Sequence, residues 1–194
     1  MAKPPVFAFV EALLFWAVLA WSFVPEMHYS GIWPRVSSTP QDAGTLRLFR
    51  IGINVALAMA FLLSFLPWLA MPQQRFALYA GTVLLFLGSL LRRYCFRVLG
   101  EYFTPTVTVS AGQPVIDSGP YHWIRHPGYT AGFLIYVGIG VALGNWLGLS
   151  ILVAIACYVY SRRVRAEEAA MLDTIGDPYR VYMARTKRFI PFIF

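Results

Sequence analysis

Two short segments of this 194-residue chain concentrate side chains able to do chemistry. The first reads Asp117-Ser118-Gly119-Pro120-Tyr121-His122-Trp123-Ile124-Arg125-His126-Pro127-Gly128-Tyr129. Gly119-Pro120 and Pro127-Gly128 mark turns, and between and beside them stand two imidazoles and three aromatic rings. Such a set can enclose a flat group such as adenine and fix its polar atoms with imidazole and backbone donors. Tyr121 or Trp123 taken alone would equally suit an interfacial aromatic belt. His122 and His126 are four residues apart, but no zincin glutamate lies between them, Pro127 resists regular helix around them and no third ligand is evident. No metal is therefore assigned. The second segment is Arg162-Arg163-Val164-Arg165-Ala166-Glu167-Glu168. Arg163 and Glu167 are at i and i+4, so on a helix they share one face and can pair or hold two ends of one ligand. A guanidinium suits a carboxylate, and an acid beside it suits a ligand ammonium. A basic run here is also what the end of a membrane span calls for.

The elements that must carry these segments follow from composition. With 58% hydrophobic, 16% aromatic and 13% charged residues, the chain lies outside both ordinary soluble and disordered compositions. Two cysteines, Cys95 and Cys157, cannot form a disulfide framework. A helix crossing ~30 Å of hydrocarbon needs ~20 mostly apolar residues. Val6 to Val24, Ile51 to Ala70 and the shorter Phe76 to Leu91 fit that requirement. From Gly128 to about Tyr160 the chain is uncharged and apolar for too long for one span, and Gly144-Asn145 interrupts it. This predicts a hairpin of two spans, the second running on as a charged helix from Ser161 to about Ile175, where Gly176 and Pro178 stop it. The expectation is an all-α integral membrane protein of five transmembrane helices. It forms one membrane domain over 1–194, with three N-terminal spans in 1–91 and a catalytic half in 92–194. The Arg92 to Pro127 loop and the tail after Tyr160 flank the hairpin, so a cofactor pocket is predicted where its two spans emerge.

Of the 16 Lys and Arg residues, five spans put only Lys3 and Arg75 on the side of the N-terminus. The rest, Arg35 among them, fall on the other side, which predicts an outside N-terminus and a cytosolic C-terminus. The net charge of +7 then needs no nucleic acid and suits anionic membrane lipids. Gly128 to Gly132, Gly140 to Gly144 and Gly144 to Gly148 are spacings that let helices approach closely in lipid. Gly138-x-Gly140 completes no dinucleotide-binding fingerprint and lies in a span, which excludes a Rossmann fold. Glu11, an acid in the first span, is a functional candidate by default, although its place near the end allows snorkelling.

Arg125-His126-Pro127-x-Tyr129, a glycine-bearing span, Glu167-Glu168, Gly176-x-x-Tyr179-x-x-Tyr182 and Arg188-x-x-Pro191 together resemble the isoprenylcysteine carboxyl methyltransferase family, over Gln113 to Pro191. The resemblance implies S-adenosyl-L-methionine as methyl donor, leaving S-adenosyl-L-homocysteine. It implies the carboxylate of a C-terminal prenylated cysteine, entering from lipid, as acceptor. By position, Gln113, Tyr121, His122, Trp123, Ile124, His126, Tyr129, Leu134 and Val137 would line the cofactor pocket. Arg163 would position the acceptor carboxylate, and Glu167 would face the cofactor and anchor its charged methionyl end. The compartment would be the endoplasmic reticulum in a eukaryote and the cell membrane in a prokaryote. Related membrane enzymes methylate phospholipid amines, for which Glu167 or Glu168 would be an advantage and Arg163 a liability. Sterol reductases share part of the pattern with a nicotinamide cofactor, and a non-enzymatic helical scaffold is the remaining alternative.

Overall fold

The computed structural model describes residues 4–32, 44–104, 107–110 and 112–189. Lys3, Arg35 and Pro191 lie outside the described residues. Regular structure among the described residues is helical: α1 Pro5–Ala8, α2 Ala12–Ile32, α3 Thr45–Leu63, α4 Gln74–Leu99, α5 Pro127–Ala142, α6 Trp146–Thr174 and α7 Asp177–Arg185, with 3-10 turns at Gly100–Tyr102 and Gly119–His122. Thr45–Leu63, Gln74–Tyr102 and Trp146–Thr174 are long and apolar enough to cross a membrane. Ala12–Val24 and Pro127–Ala142 are shorter apolar helices. The 16 residues of α5 rise roughly 24 Å, less than the hydrocarbon thickness.

The first apolar segment is not one helix, which corrects the span read over Val6 to Val24. α1 ends at an extended Phe9, and α2 starts anew at Ala12. The Trp16 indole reaches back to donate to the Val6 carbonyl at 2.9 Å, at the end of a short helix whose last carbonyls need such donors. Pro4, Pro5 and Val6 are buried, and a side chain on Gly144 would collide with the Pro5 ring. α1 thus lies against the α5–α6 turn rather than in line with α2. Glu11 sits in the break between them, outside both helices, although the sequence places it within the first span.

The second segment is shifted as well. α3 begins at Thr45 and stops at Leu63, not Ala70, because Ser64 turns its hydroxyl onto the Phe61 carbonyl at 2.6 Å and Pro67 cannot continue a helix. α4 runs on to Leu99, so Arg92, Arg93 and Arg97 lie on a helix and the long connection effectively begins at Gly100. The break at Gly144-Asn145 is where the sequence places it: Gly144 has φ +73° and the Asn145 side chain caps α6 by accepting from Gly148 N at 3.1 Å. This turn is stitched to the connection between α3 and α4 through Met71 N to Gly144 O at 2.8 Å and Trp146 N to Leu69 O at 2.9 Å.

α5 lies chiefly along α4, and α6 along α3. The close approach of α4 and α5 rests on glycine. A Cβ on Gly138 would come within 2.5 Å of Leu85 N, and one on Gly88 within 2.9 Å of Ala131 O. Gly148 meets the Ala60 backbone in the same way. Residues 81 and 88 of α4 therefore face 138 and 131 of α5, and residues 52 and 60 of α3 face 159 and 148 of α6. Both pairs are antiparallel. Arg47, Arg50, Arg92, Arg93, Arg97 and the described basic residues after Gly119 accordingly gather at one end, while Arg75 lies at the other, over the Phe9 ring at 4.9 Å.

Candidate functional site

The basic end is held together by a carboxylate. Glu168, buried on α6, accepts from Arg125 Nε at 2.9 Å and from Arg188 Nη2 at 2.7 Å, and shares a hydrogen bond of 3.2 Å with His126 Nε2. Arg125 also donates to the carbonyls of Met183 and Thr186, and so ties the loop to the end of α7. The chain after α7 then returns beside the start of α5: Arg125 N donates to Lys187 O at 2.7 Å, His126 N to Arg188 O at 3.0 Å and Thr130 Oγ1 to Phe189 O at 3.0 Å. Burial pushes the Glu168 carboxyl up, but hydrogen bonds from His126, Arg188 and Arg125 outweigh it and hold the group down at about 2. Glu168 lies in the charged extension of α6, beyond the ~20 residues that cross hydrocarbon.

Its neighbour Glu167 points elsewhere. Tyr129 donates its hydroxyl to Glu167 Oε2 at 2.7 Å and accepts from Arg163 Nε at 2.8 Å. Arg163 is buried, so its charge must be met by polar partners close at hand, of which the Tyr129 hydroxyl is one. Three cavities meet at Tyr129. An inner one is enclosed by the Gln113–Ile116 segment, Tyr121, His126, Glu167, Met171, Tyr179 and Tyr182, with Arg92 from α4. A polar one lies beyond Glu167, lined by Arg163, Thr104 and Thr108. An apolar groove of about 490 Å³ opens between α5 and α6, lined by Phe133, Leu134, Cys157, Tyr160 and Phe189. Burial raises the phenol of Tyr121, that of Tyr179, with Glu168 and Glu167 adding to the effect, and that of Tyr182 to about 12. All three are neutral at physiological pH, and Tyr182 donates to the Tyr121 carbonyl at 2.7 Å.

Of the residues singled out by sequence, Gln113, Tyr121, His126, Tyr129 and Glu167 line the inner cavity, Arg163 lines the polar one and Leu134 the groove. His122 and Trp123 stand outside all three, in a surface recess with Arg185 and Lys187. Ile124 is buried where it bridges to Lys187, and Val137 is half-buried on α5. Arg92, Tyr102 and Met171 line the inner cavity with no signal in the sequence to find them, the first two from the stretch read as a connection and the third from the charged helical extension. Tyr179 and Tyr182 belonged to a quoted motif without a role attached. Among the described residues no group of three or more His, Cys, Asp or Glu side chains is arranged to hold a metal.

The geometry defines a class: a helical bundle with a polar, arginine-rich cavity at one end that meets an apolar groove between helices. The same fold occurs in the solved structure of a eukaryotic intramembrane Ras methyltransferase, isoprenylcysteine carboxyl methyltransferase, with a TM-score of 0.62 at 21% identity over 100% of this chain and 69% of that one. Residues 81–173, from within α4 to the end of α6, match the model of the isoprenylcysteine carboxyl methyltransferase family. It is similar to the protein-S-isoprenylcysteine O-methyltransferase of Schizosaccharomyces pombe, 28% identical over 50% of this chain and 48% of the relative. A probable protein-S-isoprenylcysteine O-methyltransferase of Oryza sativa subsp. indica is 31% identical over 61% and 63%. The Homo sapiens protein-S-isoprenylcysteine O-methyltransferase is 25% identical over 92% and 66%. The chain thus spans about half of the first of these relatives and just under two-thirds of the other two.

Proposed function

We propose that this protein transfers the methyl group of S-adenosyl-L-methionine to the free carboxylate of an isoprenylated cysteine, forming a methyl ester. The observation that carries the reading is the junction at Tyr129, where a cavity suited to a nucleotide-like cation, a guanidinium suited to a carboxylate and an apolar groove suited to a hydrocarbon tail share one wall. The inner cavity fits the cofactor by its donor set. Tyrosine rings and aliphatic side chains suit the adenine, Glu167 suits the methionyl ammonium and Arg92 its carboxylate. When bound, the cofactor supplies an electrophilic methyl on a sulfonium. An acceptor oxygen forms the new bond to carbon as the carbon–sulfur bond breaks and its electron pair goes to sulfur, so an ionised acceptor needs no general base.

The chain's own residues then have three tasks. Arg163 holds the carboxylate without quenching it, since only interactions that strengthen toward the transition state raise the rate. Glu167 and the inner cavity orient the donor, and the apolar walls keep water from the reacting atoms. The groove between α5 and α6 admits the prenyl tail sideways from lipid. In this reading the five apolar helical segments all lie in the bilayer, with the arginine-rich end in the cytosol. The membrane is that of the endoplasmic reticulum in a eukaryote or the cell membrane in a prokaryote.

The test is incubation of protein in lipid with radiolabelled S-adenosylmethionine and a farnesylated cysteine analogue, offered as the free carboxylate or as its amide. Label on the carboxylate alone is the expected result. Cofactor binding with no label on either refutes the acceptor and moves the search to lipid amines, and no cofactor binding refutes methyl transfer.

A further inference from the structure

The hydroxyl of Tyr129 is one atom with two assignments: it donates to Glu167 at 2.7 Å and accepts from Arg163 at 2.8 Å. The bond from Arg163 leaves through Nε, and an end-on bidentate grip on a carboxylate uses the two terminal nitrogens of the guanidinium, so the contact can orient that fork without being part of it. Glu167 borders both the inner and the polar cavity, and Arg163 borders the polar one. The Tyr129 ring is held independently, 5.1 Å from that of Tyr160 and 5.6 Å from that of His126 between centroids. Removal of the hydroxyl alone therefore leaves the wall between the cavities standing.

We infer that Tyr129 is a positioning residue, whose single hydroxyl sets Arg163 toward the acceptor carboxylate and Glu167 toward the donor so that the two substrates are held in register. The inference rests on the function proposed above and assigns to Tyr129 a task beyond lining a pocket. Reacting atoms must come within ~3–3.5 Å of one another, and a misplacement of about 1 Å lowers the rate by about a hundredfold. The hydroxyl is the group that joins the residue on the acceptor side to the residue shared with the donor side.

The test uses full-length Tyr129→Phe protein in lipid. Single-turnover methyl transfer is measured together with equilibrium binding, in the absence of turnover, of S-adenosylhomocysteine and of the farnesylcysteine analogue as carboxylate and as amide. Transfer should slow by about ten- to a hundredfold. The preference for carboxylate over amide should shrink by about tenfold, the scale of one charge-assisted hydrogen bond, and S-adenosylhomocysteine affinity should fall by a smaller factor, because Glu167 stays in place but loses the hydroxyl that orients it. Arg163→Lys keeps the charge but not the fork, so it should lose the same preference, and adding Tyr129→Phe to it should change that preference by less than about twofold. A phenylalanine variant with wild-type transfer and preference overturns the inference, as do fully additive losses in the double variant. Equal loss of carboxylate, amide and S-adenosylhomocysteine binding would show a merely structural wall and overturn it too. Wild-type protein that transfers no label overturns the underlying function, and the inference with it.

Discussion

Glu168 is the group on which the basic end depends, and its removal should be felt by the whole bundle. Glu168→Ala would leave Arg125, His126 and Arg188 facing one another around a space that no anion fills, with the Arg125 side chain only 10% exposed. Breaking a buried ion pair from one side costs about 3–5 kcal/mol, because the surviving charge keeps its desolvation penalty. A chain of this size shifts its melting temperature by about 2–4 °C per kcal/mol, so a loss of roughly 6–20 °C is expected in detergent or lipid. Glu168→Gln keeps the volume and one acceptor and should cost less, about 1–3 kcal/mol. The linkage gives a second signature. Since the folded carboxyl is depressed to about 2 from an ordinary 4.5, its stabilisation is complete above pH 4.5 and is lost as pH falls through about 2. Melting followed by tryptophan fluorescence from pH 7 down to pH 2 should therefore show an acid decline in the wild type that is shallower in Glu168→Gln. An alanine variant melting within about 2 °C of wild type at pH 7 would refute the role of Glu168 as the structural anchor.

The remaining expectations concern the site and the helix contact beneath it. Arg163→Ala should reduce methyl transfer by at least about a hundredfold while S-adenosylhomocysteine still binds, as equilibrium titration would show. Glu167→Ala should weaken cofactor binding or turnover; unchanged affinity and turnover would exclude it from the site. Cys157→Trp fills part of the groove and should raise the KM of a farnesylated acceptor several-fold without altering cofactor affinity, and an unchanged KM would place the tail elsewhere. Gly138→Ala pushes a methyl into the α4 backbone, and should destabilise the bundle by about 1–3 kcal/mol or more in a thermal melt.

The sequence by itself determined what local chemistry can determine. Its hydrophobic lengths made the chain a helical membrane protein, Gly144-Asn145 broke the long apolar run because glycine takes φ +73° and asparagine caps the next helix, and the arginines marked one end. It also drew Arg163, Glu167, His126 and Tyr129 to notice, since each lies in a dense and recognisable cluster. Tertiary structure decided what each residue does there. Glu167 and Glu168 are neighbours in sequence but point roughly 100° apart on a helix of 3.6 residues per turn, so one borders the cavities while the other is fully engaged in tying down the chain after α7. His122 and Trp123 turn outward for a related reason: the loop is set by the pairing of Ile124 and Arg125 with Lys187, a partner some sixty residues away that no local pattern announces. Arg92 enters the inner cavity only because glycines let α4 and α5 approach backbone to backbone. Such long-range contacts depend on how faces pack across space, and spacing along the chain does not encode them residue by residue.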